Sequence, residues 1–135
     1  MNPPGKKNWL AYPKDWIAHA QSDLKMARMG REDGEIMFEQ VCFHAQQAVE
    51  KAIKAVLLAR QVDFPLTHDL EVLMDIGQKA GIEIPKDLLE IDTLTPYAVE
   101  TRYPGYLEAI SEEDVTEAIE LAENFLAWAR DQLRL

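Results

Sequence analysis

The chain has 135 residues, 47% of them hydrophobic, which is enough for one domain with a single core but not for two domains. Its 24 acidic and 14 basic residues give a net charge of −10, which opposes broad attachment to nucleic-acid backbone or to an anionic membrane surface. The first ten residues lack the apolar core of a secretory signal, and the single cysteine, Cys42, cannot form an intramolecular disulfide. We therefore expect a reduced, cytoplasmic setting and no membrane span.

Two long helices are predicted in the first half of the chain, because apolar residues recur there every three or four positions. The first begins near Pro13, a residue suited to a first helical turn, and ends near Gly30. The second runs from about Glu35 to Arg60 and carries the longest apolar stripe in the chain. We expect this second helix to be the central one.

A third helix is predicted from about His68 to Ala80, with Thr67 as its cap and Gly81 as its end. Pro85 and Lys86 then open a shorter helical segment. Beyond it, Thr95-Pro96 and Pro104-Gly105 enclose a stretch of mixed turn and helix.

The last helix is predicted to start at Ser111, where Asp114 three residues later completes a capping box. The sequence shows no internal repeat and no domain linker. These elements predict an all-α fold, an up-and-down four-helix-type bundle with an additional short helix, preceded by an N-terminal tail over residues 1–12 and forming a single domain over residues 13–135.

Four polar residues of the second helix, Gln47, Glu50, Lys51 and Lys54, are predicted to lie on the side away from its main apolar stripe. Glu50 and Lys54 have the spacing and order of an ordinary surface ion pair. Alternatively, the lysines face a phosphate and Gln47 donates and accepts hydrogen bonds, which suits a nucleotide. The sequence leaves both interpretations open.

Three further residues are candidates for ligand binding. His68 lies at a predicted helix start, where its imidazole can contact the preceding loop or the second helix. Arg102 and Tyr103 lie in a segment rich in tyrosine, and an arginine there can bind phosphate, stack on a base or anchor the loop. A structural role for each of these residues stays open as well.

Sequence motifs for several kinds of chemistry are missing. There is no Glu-x-x-His pair for a di-iron site, no phosphate-binding glycine loop and no nucleophile elbow, and Cys42 lies within an apolar stripe. We therefore predict no metal site, no cofactor and no catalytic residue.

Three blocks of sequence resemble those of prokaryotic HEPN-domain proteins. They are the thirteen residues from Phe43 to Ala55 (FHAQQAVEKAIKA), Thr67-His-Asp-Leu70, and Thr101-Arg-Tyr-Pro104, in the family's order and approximate spacing. The resemblance extends from Trp16 to Leu133. It implies a helical bundle, frequent homodimerisation and, for many members, pairing with a small nucleotidyltransferase in toxin–antitoxin operons.

The ribonuclease members of this family use an arginine followed, after four to six residues, by a histidine, and this sequence departs from that pattern. No histidine follows Arg102, and seven residues, including Pro65, separate Arg60 from His68. The general acid–base group of an RNA-cleaving enzyme therefore has no position that matches the motif.

Three functions follow as hypotheses. The first is a binding module, without catalysis, for a nucleotide or for the nucleotidyltransferase that handles one. The second is a ribonuclease toxin in which Arg102 meets His68 or His44 in space or across a dimer. The third is a structural dimerisation domain, favoured if Gln47, Lys51 and Lys54 are engaged within the protein. We expect a homodimer in each case, since Phe43, Leu58 and the Arg102 segment provide more apolar surface than one slim bundle needs.

Overall fold

The computed structural model describes residues 12–98 and 109–135, and in this part of the chain all regular structure is helical. The order is α1 (Pro13–Glu32), α2 (Phe38–Ala59), α3 (Leu70–Lys79), a 3₁₀ segment (Lys86–Ala98) and α4 (Glu112–Leu133). The predicted all-α bundle with an additional short helix is confirmed.

The central position of α2 follows from its composition. It packs against α1, α3, α4 and the 3₁₀ segment, and more than half of its residues are buried. The apolar faces of α1 and α4, where apolar residues recur every three or four positions, lie against α2. Ala20 and Ala27 of α1 and Phe125 of α4 are fully buried on these faces. Small residues let α1 approach α2 closely, since a Cβ added at Gly30 would lie 3.0 Å from Val41 Cγ2.

Local chemistry fixes the helix ends. Pro13 occupies the first turn of α1. The predicted capping box of α4 is present. Ser111 Oγ accepts from the Asp114 amide at 3.1 Å, and Asp114 Oδ2 accepts from the Ser111 amide at 3.0 Å. At the end of α3, Gly81 adopts a φ of +90°, a conformation that favours glycine.

The predicted start of α3 was wrong by two residues. Asp69, not Thr67, is its N-cap, because the Asp69 carboxylate accepts hydrogen bonds from the amides of Glu71 and Val72. Thr67 instead accepts from the Asp69 amide at 3.0 Å, one step earlier in the turn. His68 therefore precedes the helix and belongs to the loop between α2 and α3.

Three other boundaries differ from the predictions, the first being the end of α1, which continues past Gly30 to Glu32. The start of α2 is delayed from Glu35 to Phe38, since Asp33 Oδ1 accepts from the Glu35 amide and holds the chain in a turn. The segment opened by Pro85 and Lys86 continues as a 3₁₀ helix to Ala98, with Pro96 inside it. Much of the predicted stretch between Pro96 and Pro104 lies outside the described residues.

None of the helices in residues 12–98 and 109–135 combines the length and the apolar character needed to cross a membrane.

Candidate functional site

The candidate site is built around Glu50, a carboxylate buried on the central helix. We define the Glu50 cluster as Gln46, Glu50 and Lys54 of α2 together with His68 of the following loop. Gln46 and Lys54 lie one helical turn before and after Glu50, so their side chains meet it on the same face. Gln46 Nε2 donates to Glu50 Oε1 at 3.0 Å, and Lys54 Nζ donates to Glu50 Oε2 at 2.9 Å.

The fourth member, His68, reaches this carboxylate from outside the helix. Its Nδ1 lies 2.8 Å from Glu50 Oε1, and the peptide oxygen of His68 accepts from Gln46 Nε2 at 3.4 Å. An ionised carboxylate only accepts hydrogen bonds, so Nδ1 carries the proton and Nε2 is left on the outer edge of the ring. The side chain of His68 is 58% exposed, whereas those of Glu50 and Lys54 are 5% and 8% exposed.

Burial and hydrogen bonding act in opposite directions on Glu50. Burial alone raises the pKa of a carboxyl group, but hydrogen bonds from Gln46, Lys54 and His68, with the positive charge of Lys54, outweigh it. The pKa of Glu50 therefore lies below its ordinary value of 4.5. The cluster holds a buried carboxylate in its ionised form.

Two aromatic rings pack against the Lys54 ammonium. The Lys54 ammonium lies 5.8 Å from the ring centroid of Trp16 on α1 and 5.9 Å from that of Phe64 in the α2–α3 loop. These two rings pack edge to face at 6.4 Å. Lys54 is thus enclosed by a carboxylate and two rings.

A second polar group, the Asp23 cluster, lies between α1 and α2. Asp23 accepts from Lys51 Nζ at 2.6 Å through Oδ2, and its Oδ1 lies 3.1 Å from His44 Nδ1. Gln47 Nε2 donates to Gln46 Oε1 at 2.7 Å. Gln47 is therefore hydrogen-bonded to the Glu50 cluster, and in the sequence of α2 it lies between His44 and Lys51.

The structure therefore gives Gln47, Lys51 and Lys54 each a partner inside the protein. The interpretation of Glu50 and Lys54 as a surface pair was wrong, because α1 and the α2–α3 loop cover this side of α2 and bury both side chains. The prediction that the lysines bind a phosphate stays a prediction. Either lysine would first have to leave its carboxylate.

Of the other candidate residues, His68 contacts the second helix, one of the two positions expected for it. Arg102 and Tyr103 lie outside the described residues. The start of α3 also offers little to an anion, since Thr95 Oγ1 accepts from the Leu70 amide and Asp69 accepts from the next two amides.

Sequence reasoning did not identify Gln46 and Asp23 as members of the site. Both are buried polar residues on helices whose other buried residues are mostly apolar. A polar side chain in a core stripe requires a hydrogen-bonding partner, so the break in the apolar pattern was an available signal. All buried side-chain nitrogen and oxygen atoms in the described residues have such a partner.

Cys42 is packed, as predicted. Burial raises the pKa of its thiol to about 12, and the charge of Asp114 acts in the same direction. Within the described residues, no three side chains of His, Cys, Asp or Glu gather as they would around a metal ion.

Comparison with known proteins places this chain in a family. The HEPN domain model matches residues 13–132. A crystal structure of an archaeal HEPN homologue, 30% identical, superposes with a TM-score of 0.70 and covers 90% of this chain and 97% of that one. A protein of Methanocaldococcus jannaschii named "Putative toxin" is 29% identical over 93% of this chain and 90% of its own length.

A further match is a poly(3-hydroxyalkanoate) polymerase subunit of Rhizobium etli, which is 29% identical over 62% of this chain. That match spans only 15% of the polymerase subunit. The family model and the solved structure, by contrast, both extend over nearly the whole chain. This chain belongs to the HEPN family.

Proposed function

We propose that this chain is the HEPN module of a toxin–antitoxin pair, and that it binds a nucleotide, or the nucleotidyltransferase that handles one, at the face where His68 is exposed. The likeness to a relative named as a toxin supports the first part of the proposal. The second part rests on one observation, the Glu50 cluster. It is an ionic group that is buried except at one exposed imidazole.

The arrangement of the cluster favours binding over a purely structural role. Burying a carboxylate and an ammonium costs desolvation energy that an apolar pair of similar size does not. What the charges provide here is a positioned imidazole, because Glu50 holds the ring through Nδ1 while most of the side chain stays exposed and Nε2 is not used in that contact. Such a ring can donate to a phosphate oxygen when protonated, or accept from a base or a protein side chain when neutral.

Calorimetry with ATP, GTP and their monophosphates tests the proposal. One charge-assisted hydrogen bond contributes about 1.5–3 kcal/mol, so His68→Ala should weaken nucleotide binding about ten-fold or more. His19→Ala, at an exposed histidine of α1, is the matched control and should leave the affinity unchanged. Equal affinities of the two variants would remove His68 from the site.

The partner is tested separately. The nucleotidyltransferase encoded nearest to this chain's gene is co-expressed with wild type, His68→Ala and His19→Ala, and co-elution is measured. We expect co-elution that His68→Ala weakens. Absence of both nucleotide binding and co-elution would contradict the proposal and favour a structural dimerisation domain. The hydrogen bonds of Gln47, Lys51 and Lys54 within the protein are compatible with that alternative.

A ribonuclease is the second candidate, and the hydrogen bond between Glu50 and His68 is the observation that favours it. A carboxylate behind an imidazole is a common way to orient a general base. Incubation of mixed RNA in chelator with wild type and His68→Ala tests it. The binding module predicts no difference between them, whereas cleavage lost in His68→Ala would establish the enzyme.

A further inference from the structure

A groove between α1 and α4 carries a different kind of surface from the Glu50 cluster. Its volume is about 650 Å³, and it lies over the seam where the two outer helices flank α2. The nearly buried side chains of Leu24 and Leu126 form an apolar floor, and the exposed residues Met29 and Ala127 add apolar surface beside it. We call this surface the α1/α4 groove.

The rim of the α1/α4 groove is basic in a strongly acidic protein. Lys25, Arg28 and Arg130 line it, against the single carboxylate of Glu123. Arg28 donates to Glu123 at 2.6 Å, while Lys25 and Arg130 have no carboxylate partner among the described residues. The chain as a whole has a net charge of −10. The groove is therefore a local basic site with two unpaired cations.

The groove is separate from the site of the proposed function. Trp16, whose ring lies 5.8 Å from Lys54 of the Glu50 cluster, and Lys25, which lines the groove, are nine residues apart, or about 180° around α1. The two surfaces thus lie on different sides of this helix, and a partner can occupy one without covering the other.

We propose that the α1/α4 groove docks an acidic amphipathic helix of another protein. The apolar side chains of that helix would cover Met29, Ala127 and the small exposed parts of Leu24 and Leu126, and its carboxylates would pair with Lys25, Arg28 and Arg130. From Gln21 to Met29 the groove runs about 12 Å along α1, so about two helical turns of the partner fill it. This inference does not depend on the function proposed for His68.

Charge selects this occupant over a second copy of the chain. A two-fold contact centred on the groove would bring Lys25, Arg28 and Arg130 of one copy against the same cations of the other. Like charges facing each other across an interface oppose association. Groove-to-groove self-association is therefore disfavoured, and a partner with acidic flanks is favoured.

The lining also argues against nucleic acid as the occupant. Binding of single strands depends on aromatic side chains that stack on bases, and none of the residues lining the groove is aromatic. The net charge of −10 further opposes a polyanion that extends beyond the groove. A short helix with an apolar face uses both the floor and the rim.

A pair of synthetic peptides tests the inference. The probe is an amphipathic helix of about 14 residues with leucines along one face and glutamates on both flanks, and its control carries lysine at every glutamate position. Fluorescence anisotropy should show that wild type binds the glutamate peptide at least about ten-fold more tightly than the lysine peptide. Added salt should weaken the binding.

Variants locate the binding. Arg130→Glu should lower the affinity for the glutamate peptide about ten-fold or more. The triple variant Lys25→Glu, Arg28→Glu and Arg130→Glu should instead bind the lysine peptide more tightly than the glutamate peptide. Lys86→Glu makes the same charge change at an exposed position outside the groove and should leave the affinity unchanged. Circular dichroism checks that each variant is folded.

Methyl NMR of Met29 gives a readout independent of charge substitution, since its signal should shift with the glutamate peptide and not with the lysine peptide. Equal affinities for both peptides, or equal weakening by Lys86→Glu and Arg130→Glu, would overturn the proposal. So would a homo-oligomer in sedimentation that Arg130→Glu dissociates, because the groove would then hold a second copy.

Discussion

The Glu50 cluster and the α1/α4 groove use charge in opposite ways. In the cluster, Glu50 and Lys54 are almost fully buried and surrounded by polar and aromatic partners. In the groove, the ion pair between Arg28 and Glu123 is about half exposed, at 52% and 40%. The N–O distance is 2.9 Å in the buried pair and 2.6 Å in the exposed pair, so both are within hydrogen-bonding range. Solvent access should therefore decide what each pair contributes.

The same comparison separates a fixed group from an adaptable surface. Glu50 accepts from three side chains and leaves His68 in one orientation, as a site that reads a particular ligand requires. The groove offers long cationic side chains over an aliphatic floor, where Met29 can repack. We expect selectivity at the first surface and tolerance of sequence at the second.

The largest effect is expected from Glu50→Ala. Removing one partner of a buried ion pair leaves the Lys54 ammonium uncompensated, which typically costs about 3–5 kcal/mol of unfolding free energy. Urea unfolding followed by circular dichroism measures it. A loss no larger than that of an exposed pair would show that water reaches Lys54 and that the cluster is not buried in solution.

A double substitution, Glu50→Leu with Lys54→Met, should restore the stability that Glu50→Ala removes. Replacing a whole buried ion pair by apolar side chains of similar size is often neutral or stabilising by about 1–4 kcal/mol. Nucleotide affinity should fall as in His68→Ala, because the imidazole loses its acceptor. A stable double variant with unchanged affinity would mean that the cluster has no part in binding.

Acid should destabilise the protein partly through Glu50. Its pKa is lowered on folding, so its contribution to stability is present above its ordinary value of 4.5 and is lost as the pH falls through the folded value. As the pH falls to 4.5 and below, the unfolding free energy of wild type should therefore fall more steeply than that of the double variant. If the unfolding free energies of wild type and double variant changed in parallel with pH, the lowered pKa of Glu50 would be contradicted.

Much of the fold could be predicted from the sequence because it depends on local patterns. The apolar periodicity of α2 and the capping box at Ser111 act within a few residues, and both are confirmed. The start of α3 could not be fixed, since Thr67 and Asp69 both suit a cap and only the backbone geometry selects Asp69.

The candidate site was less predictable because its contacts are distant in sequence. Helical spacing brings Gln46, Glu50 and Lys54 together, but their burial depends on Phe64 and His68 folding back over α2. No periodicity encodes that return of the loop. In the same way, the α1/α4 groove exists only through the spacing of two helices that are about a hundred residues apart in the chain, since Arg28 meets Glu123 across 95 positions.

The smallest effect on stability is expected from Glu123→Gln, in the groove. An exposed ion pair contributes about 0.2–1 kcal/mol, and salt screens even that, so unfolding free energies of wild type and variant should converge as ionic strength rises. The affinity for the glutamate peptide should move the other way and increase, because Arg28 loses its internal competitor. Glu120→Gln, at an exposed position of α4 that does not line the groove, provides the control for the change in net charge. An increase in affinity with Glu123→Gln alone would show that the pair limits docking, whereas equal increases with both variants would assign the effect to overall charge.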